Sequence, residues 1–142
     1  MKKMTFVLGV GAQKAGTTLL FDLLSKSNEI DVAGGDEFQA KELNYFCRAE
    51  KASYKEYIGM FASDNIFKLD ISPNYMFYPN ALDRINDVLP KENVKIITTL
   101  RNPIKRAESH YYMSKRRGIE KLAFEETFVP ERERMAASDL AF

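Results

Sequence analysis

The sequence predicts an α/β fold in three layers, a central parallel sheet flanked by helices. Three observations carry this. An apolar run at Thr5 to Val10 passes through a glycine-containing loop into a helix. A second apolar, β-branched run at Val94 to Leu100 passes through Asn102-Pro103 into another helix. Between them, segments of strand and helix character alternate, the pattern that requires parallel pairing with helical crossovers.

Taken in order, Thr5-Phe6-Val7-Leu8-Gly9-Val10 reads as a buried strand, and Thr17 to Lys26 as a helix through the spacing of Leu19, Leu20, Leu23 and Leu24. A helix is expected at 53–61 and a short strand at Ile66 to Ile71. Another helix at 80–89 is ended by Pro90. The strand 94–100 precedes a long helix that Gly118 stops after Arg117. Four helices thus meet only three or so strands. The stretch Glu131 to Phe142 is charged, then small and apolar, without an end signal, as in a chain that stops mid-architecture.

Composition narrows the function. With 142 residues, one domain over 1–142 is expected. The 21 basic and 20 acidic residues leave a net charge of +1, which gives no basis for wholesale binding to nucleic acid or a membrane surface. One cysteine, Cys47, excludes an internal disulfide, and with the single His110 it is too small a set for a Cys/His zinc site. No apolar run approaches the ~20 residues that span a bilayer, and no signal-peptide core follows Met1. A cytoplasmic protein is the default expectation.

The loop Gly11-Ala12-Gln13-Lys14-Ala15-Gly16-Thr17-Thr18 has the glycine spacing and final hydroxyl of a P-loop, G-x-x-x-x-G-K-[ST], and gives the fold its P-loop type. Thr17 stands where that motif has lysine, and Lys14 lies inside the loop. Backbone N–H groups entering a helix bind a phosphate at a fixed place. A lysine three residues earlier aims its charge at a group closer to the loop, which implies a shorter anionic tail and no metal. The competing reading is a tight turn with a solvent-exposed lysine.

Arg101 ends the strand 94–100, and ligands of open α/β sheets sit at the carboxyl ends of strands. Ser109 follows two helical turns into the next helix. An arginine fork and a hydroxyl could together hold a second phosphate. On spacing alone, a surface arginine and a helix serine are the stronger reading.

Together the two strings resemble the sulfotransferases that use 3′-phosphoadenosine 5′-phosphosulfate. Lys14-Ala15-Gly16-Thr17-Thr18 is similar to their 5′-phosphosulfate loop, and Arg101-Asn102-Pro103 with Arg106, Ser109 and Tyr111 to their 3′-phosphate motif. Lys41-Glu42-Leu43-Asn44-Tyr45-Phe46 and Asp70-Ile71-Ser72-Pro73-Asn74-Tyr75 resemble segments of the heparan-sulfate-type and bacterial branch, with Ile71 where glycan-modifying members often carry lysine. The likeness covers about 6–128, and the family's domain continues further, so 1–142 corresponds to its N-terminal part.

The resemblance implies sulfuryl transfer from that co-substrate to a hydroxyl or amine on a small-molecule or glycan acceptor. Gln13, Lys14, Ala15, Gly16, Thr17, Thr18, Arg101 and Ser109 would bind the co-substrate, and no metal is implied. Lys14 would stabilise the leaving phosphate and Glu42 would be the general base. An ordinary surface glutamate is the alternative for Glu42. His110, inside the 3′-phosphate helix, is not where a base is expected. Cys47, Met60, Phe61, Tyr75, Phe77 and Tyr78 are expected to pack a core or line an acceptor cleft. Lys115-Arg116-Arg117 reads as a solvated helix end. The alternatives are a P-loop nucleotide kinase, with Asp70 standing in for the magnesium-binding aspartate, and an inactive nucleotide-binding fragment. Acceptor identity and oligomeric state are left open.

Overall fold

The computed structural model describes residues 4–33, 41–48, 51–128, 130 and 133. Apart from Glu133, the stretch 131–142 singled out above lies outside them. The chain forms two compact units, Met1–Leu100 and Arg101–Phe142.

The first unit holds a four-stranded parallel sheet: β1 (Thr5–Gly11), β2 (Ile30–Val32), β3 (Phe67–Ile71) and β4 (Val94–Thr98), in the order β2-β3-β1-β4. Helices α1 (Thr17–Leu24), α2 (Tyr54–Ile58) and α3 (Pro79–Val88) connect successive strands. The α/β class and the parallel sheet are as expected. From β1 the chain runs to β2, returns to β3 and then crosses to β4 on the other side of β1. The carboxyl end of β1 is therefore a switch point, where an open α/β sheet leaves a crevice.

Alternation along β1 aims Phe6, Leu8 and Val10 at one face, where all three are buried. Tyr57 of α2 packs on Phe6 with ring centroids 5.8 Å apart, and Ala81, Ile85 and Leu89 join the same core. Phe46 adds contacts to Tyr57 at 4.7 Å and Tyr75 at 5.6 Å. Aromatic packing of this kind contributes beyond area burial, about 0.5–1.5 kcal/mol for each pair.

The sequence reading missed β2. It has three residues, and its centre is Asp31, which breaks the apolar pattern. Its partner explains it. Register places Asp31 beside Lys68 on β3, and the ammonium lies 2.7 Å from the carboxylate with both groups buried. Lys68 also donates to the Ser63 carbonyl, and the Ser63 N–H donates to Asp31 at 3.0 Å. Burial alone would raise the Asp31 carboxyl; the Lys68 ammonium and the Ser63 N–H outweigh it and hold the group below its ordinary value. The leucine spacing of α1 also divides: Leu20 and Leu24 are half-buried, whereas Leu19 and Leu23 are exposed.

The second unit is built on α4 (Pro103–Arg116). Asn102 caps it, its side-chain oxygen accepting from the Ile104 and Lys105 N–H groups, and Pro103 occupies the first turn, where no N–H is needed. Gly118, at φ 71, supplies the left-handed turn after the helix. The following segment folds back: the Tyr111 hydroxyl donates to the Leu122 carbonyl at 3.0 Å, and Phe124 packs edge-on against Tyr111 with ring centroids 5.2 Å apart. Lys115 donates to the carbonyls of Lys121 and Leu122, so one member of the basic cluster expected at a solvated end fastens this return.

Lys68→Met should destabilise the fold by about 3–5 kcal/mol in urea denaturation, because it strands a buried Asp31 charge. Replacing both partners with apolar residues, as in Lys68→Met with Asp31→Leu, should recover most of that loss. Equal losses in the single and double variants would contradict the pairing.

Candidate functional site

The loop after β1 is seated by backbone pairing. The Ala12 N–H donates to the Thr99 carbonyl and the Thr99 N–H to the Gly11 carbonyl, each at 2.8 Å, so the loop is zipped to the chain leaving β4. Two left-handed residues, Lys14 at φ 67 and Gly16 at φ 97, then curl it into α1. Gly16 suits that conformation, whereas Lys14 holds it at a cost that side chains other than asparagine and aspartate rarely bear. Thr17 opens α1 and is buried; Thr18 is exposed at its first turn; Gln13, Lys14 and Ala15 are half-buried. A loop entering a helix in this way offers N–H groups and the positive end of the helix dipole to an anion.

The segment 41–48 comes to this loop from 23 residues further along the chain. The Lys41 ammonium donates to the Thr18 hydroxyl at 2.6 Å and lies 3.3 Å from the Glu42 carboxylate. Lys41 has 23% of its side chain exposed and Glu42 40%. The structure therefore joins Glu42 to the loop through Lys41, the lysine beside it in sequence.

What fixes this segment is a buried carboxylate. Register places Asp70 of β3 beside Leu8 of β1, facing the core with no exposed surface. Its Oδ1 accepts from the Ser72 hydroxyl at 2.7 Å, and its Oδ2 from the hydroxyls of Tyr75 at 2.6 Å and Tyr57 at 3.1 Å. The Leu43 N–H donates to it as well. Ser72 in turn accepts from the Asn44 N–H at 3.0 Å, and the Asn74 amide donates to the Asn44 side chain at 3.1 Å. Further along, the Tyr45 hydroxyl donates to Glu56 at 2.7 Å, and Arg84 of α3 donates to the carbonyls of Phe46 and Arg48.

Burial pushes the Asp70 carboxyl above its ordinary value, although the Ser72, Tyr75, Tyr57 and Leu43 donors all pull the other way. The Tyr57 and Tyr75 hydroxyls are pushed up by burial and by the Asp70 charge. Burial likewise drives the Cys47 thiol up to about 11, which leaves it a packing residue and not a nucleophile. Asp70 does not fit the magnesium role considered in the sequence, because its oxygens are taken by four donors inside the core. Among the described residues, no group of three or more histidine, cysteine or acidic side chains is placed to hold a metal.

Of the residues expected in a core or cleft, Phe61 and Tyr75 are buried, Met60 and Cys47 half-buried, and Phe77 and Tyr78 exposed. Ile71, at the position noted for lysine, is fully buried; a Cβ on Gly9 would meet its side chain at 3.0 Å, so this position packs tightly against β1. In the second unit Arg101 is exposed just before the Asn102 cap, while Ser109 and His110 are half-buried within α4. Sequence reasoning missed the clamp of Asp70, Tyr57 and Arg84. The available signal was Lys68 and Asp70 at alternate positions of a strand, two charges on a face that should be apolar.

No family model matches the chain, and no curated protein matches it in sequence. Among solved structures, the chain is similar to the crystal structure of a sulfotransferase from Alicyclobacillus acidocaldarius, with a TM-score of 0.74 and 25% identity. The match covers 99% of this chain and 62% of that one, so this chain spans less than two thirds of that protein's length. The α/β fold is thus shared with a sulfotransferase. Among the described residues, no helix is long and apolar enough to cross a membrane.

A raised Asp70 means that the native state binds a proton more readily than the unfolded chain, so its contribution to stability falls as pH rises through the native value. The stability of the wild type relative to Asp70→Asn should therefore increase as pH is lowered through the raised native value towards the ordinary carboxylate range, read by urea denaturation at a series of pH values. A difference that does not change with pH would contradict the buried-carboxylate reading.

Proposed function

We propose that this chain is a sulfotransferase of the heparan-sulfate-type and bacterial branch, moving a sulfuryl group from 3′-phosphoadenosine 5′-phosphosulfate to a hydroxyl or amine of a small-molecule or glycan acceptor. The observation that carries the reading is the joining of Glu42 to the phosphate loop through Lys41 and Thr18. It places a carboxylate beside the element suited to hold the donor's anionic end, and the likeness to a solved sulfotransferase supports it.

The residues fit such a donor. The N–H groups at the start of α1 and the side chains of Gln13, Lys14, Thr17 and Thr18 would hold the 5′-phosphosulfate, with Ala15 and Gly16 allowing close approach. In the second unit, Arg101 and Ser109 are the proposed ligands of the 3′-phosphate. Glu42 takes the proton of the acceptor as its oxygen or nitrogen bonds to sulfur. The sulfur–oxygen bond to the 5′-phosphate breaks, and Lys14 stabilises the charge left on that oxygen. Most of this catalysis is positioning and electrostatics, as in loose phosphoryl transfer. The kinase alternative loses support from the closed environment of Asp70.

Adenosine 3′,5′-bisphosphate should raise the melting temperature of the chain, and EDTA should leave that shift unchanged. In a labelled-sulfate assay over a panel of sugars, phenols and alcohols, Lys14→Ala should lose roughly two to three orders of magnitude in transfer. Glu42→Gln should lose a comparable factor while its affinity for the bisphosphate stays close to wild type. A thermal shift seen only with ATP and magnesium would sink the proposal.

Arg101→Ala tests the 3′-phosphate separately. The wild type should prefer adenosine 3′,5′-bisphosphate to adenosine 5′-phosphate by roughly ten- to a hundredfold, and the variant should lose that preference. Equal affinities of the wild type for the two ligands would refute the assignment of Arg101.

A further inference from the structure

A carboxylate beside a phosphate loop poses an electrostatic problem. Glu42 is useful as a base only if it stays ionised near the site, yet an ionised carboxylate there repels the polyanion that the loop is built to hold. Lys41 is fastened to both parts. Its ammonium donates to Thr18 on the loop helix at 2.6 Å and pairs with Glu42 at 3.3 Å. Its backbone is held in place from the other side: Leu43 and Asn44, two and three residues on, are tied by their N–H groups to Asp70 and Ser72. The contact with Thr18 is thus the meeting of two anchored elements, and the ammonium lies between the carboxylate and the loop hydroxyl.

We propose that Lys41 is a positioning residue of the donor site: by bridging Thr18 and Glu42 it holds the base at the loop and cancels the repulsion between the Glu42 carboxylate and a bound donor phosphate. The inference rests on the reading of the loop as the donor site and adds to it a specific coupling. Lys14 acts on the phosphate itself, and Lys41 acts through Glu42.

The coupling separates this role from simple support of the loop. Lys41→Met removes the ammonium while keeping a long unbranched side chain, and the site is partly exposed, so melting temperatures should stay close to wild type. With Glu42 present, Lys41→Met should weaken adenosine 3′,5′-bisphosphate binding by about tenfold at low salt, and less as ionic strength rises. In a Glu42→Gln background the same change should cost only the attraction of the ammonium itself, no more than about threefold at this partly exposed site, since no carboxylate is then released from its partner to turn towards the loop and compete with the phosphate. Lys41→Arg should restore affinity to within about threefold of wild type. Isothermal titration of the four-member cycle with the bisphosphate reads all of these. Equal losses in the two backgrounds, or no loss in either, would overturn the proposal while leaving the donor site intact. A wild-type chain that does not bind the bisphosphate would overturn the donor-site reading and this proposal with it.

Discussion

The arrangement of the site depends on one buried carboxylate. Asp70 has no access to water, so every lone pair it presents must be met from within the protein, and it draws donors from α2, from the turn after β3 and from the segment that carries Glu42. Leaving a buried polar group unmet costs about 1–3 kcal/mol, more for a charge, and that penalty makes the network close as a unit. Leu43 and Asn44 are held at their N–H groups, and the side chains of Lys41 and Glu42 follow from there.

Strand β3 carries two such devices on one face. Lys68 pairs with Asp31 and holds the three-residue strand β2 in the sheet; Asp70, two residues on, organises the site end. An apolar pair at Lys68 and Asp31 would hold the sheet by packing. At Asp70 an apolar side chain would leave the hydroxyls of Tyr57, Tyr75 and Ser72 without their acceptor, and the segment 41–48 without its anchor. The first pair is exchangeable in principle, whereas the second group anchors the segment that carries Glu42.

The parts of the molecule that were legible in the sequence are the local ones. The strand β1, its loop and α1 lie within twenty consecutive residues, and β4 with α4 announces itself by β-branched residues, Asn102-Pro103 and Gly118. Helices α2 and α3 and strand β3 were found within a few residues of their observed ends. Strand β2 was not, because its length gives no periodicity and its central residue is charged for a partner 37 positions away. The same reason hides the clamp. Tyr57, Tyr75 and Leu43 are an aromatic pair and a leucine to any pattern reader, and their roles as donors to Asp70 exist only once β3 is paired with β1. Lys41 stood in a string quoted for its resemblance, but its contact with Thr18 spans 23 residues and follows from no spacing.

The seat of the loop has a different character from its contents. Gly11, Ala12 and Thr99 are joined chiefly through peptide groups, with the Thr99 hydroxyl adding a longer contact of 3.3 Å to the Gly11 carbonyl. A bond between peptide groups is indifferent to the side chain that happens to sit there. Natural variation at positions 12 and 99 is consequently cheap, with proline the one residue barred from both because it lacks the N–H. Side chains can vary along the loop, from Gln13 onward, while its foundation stays where the sheet puts it.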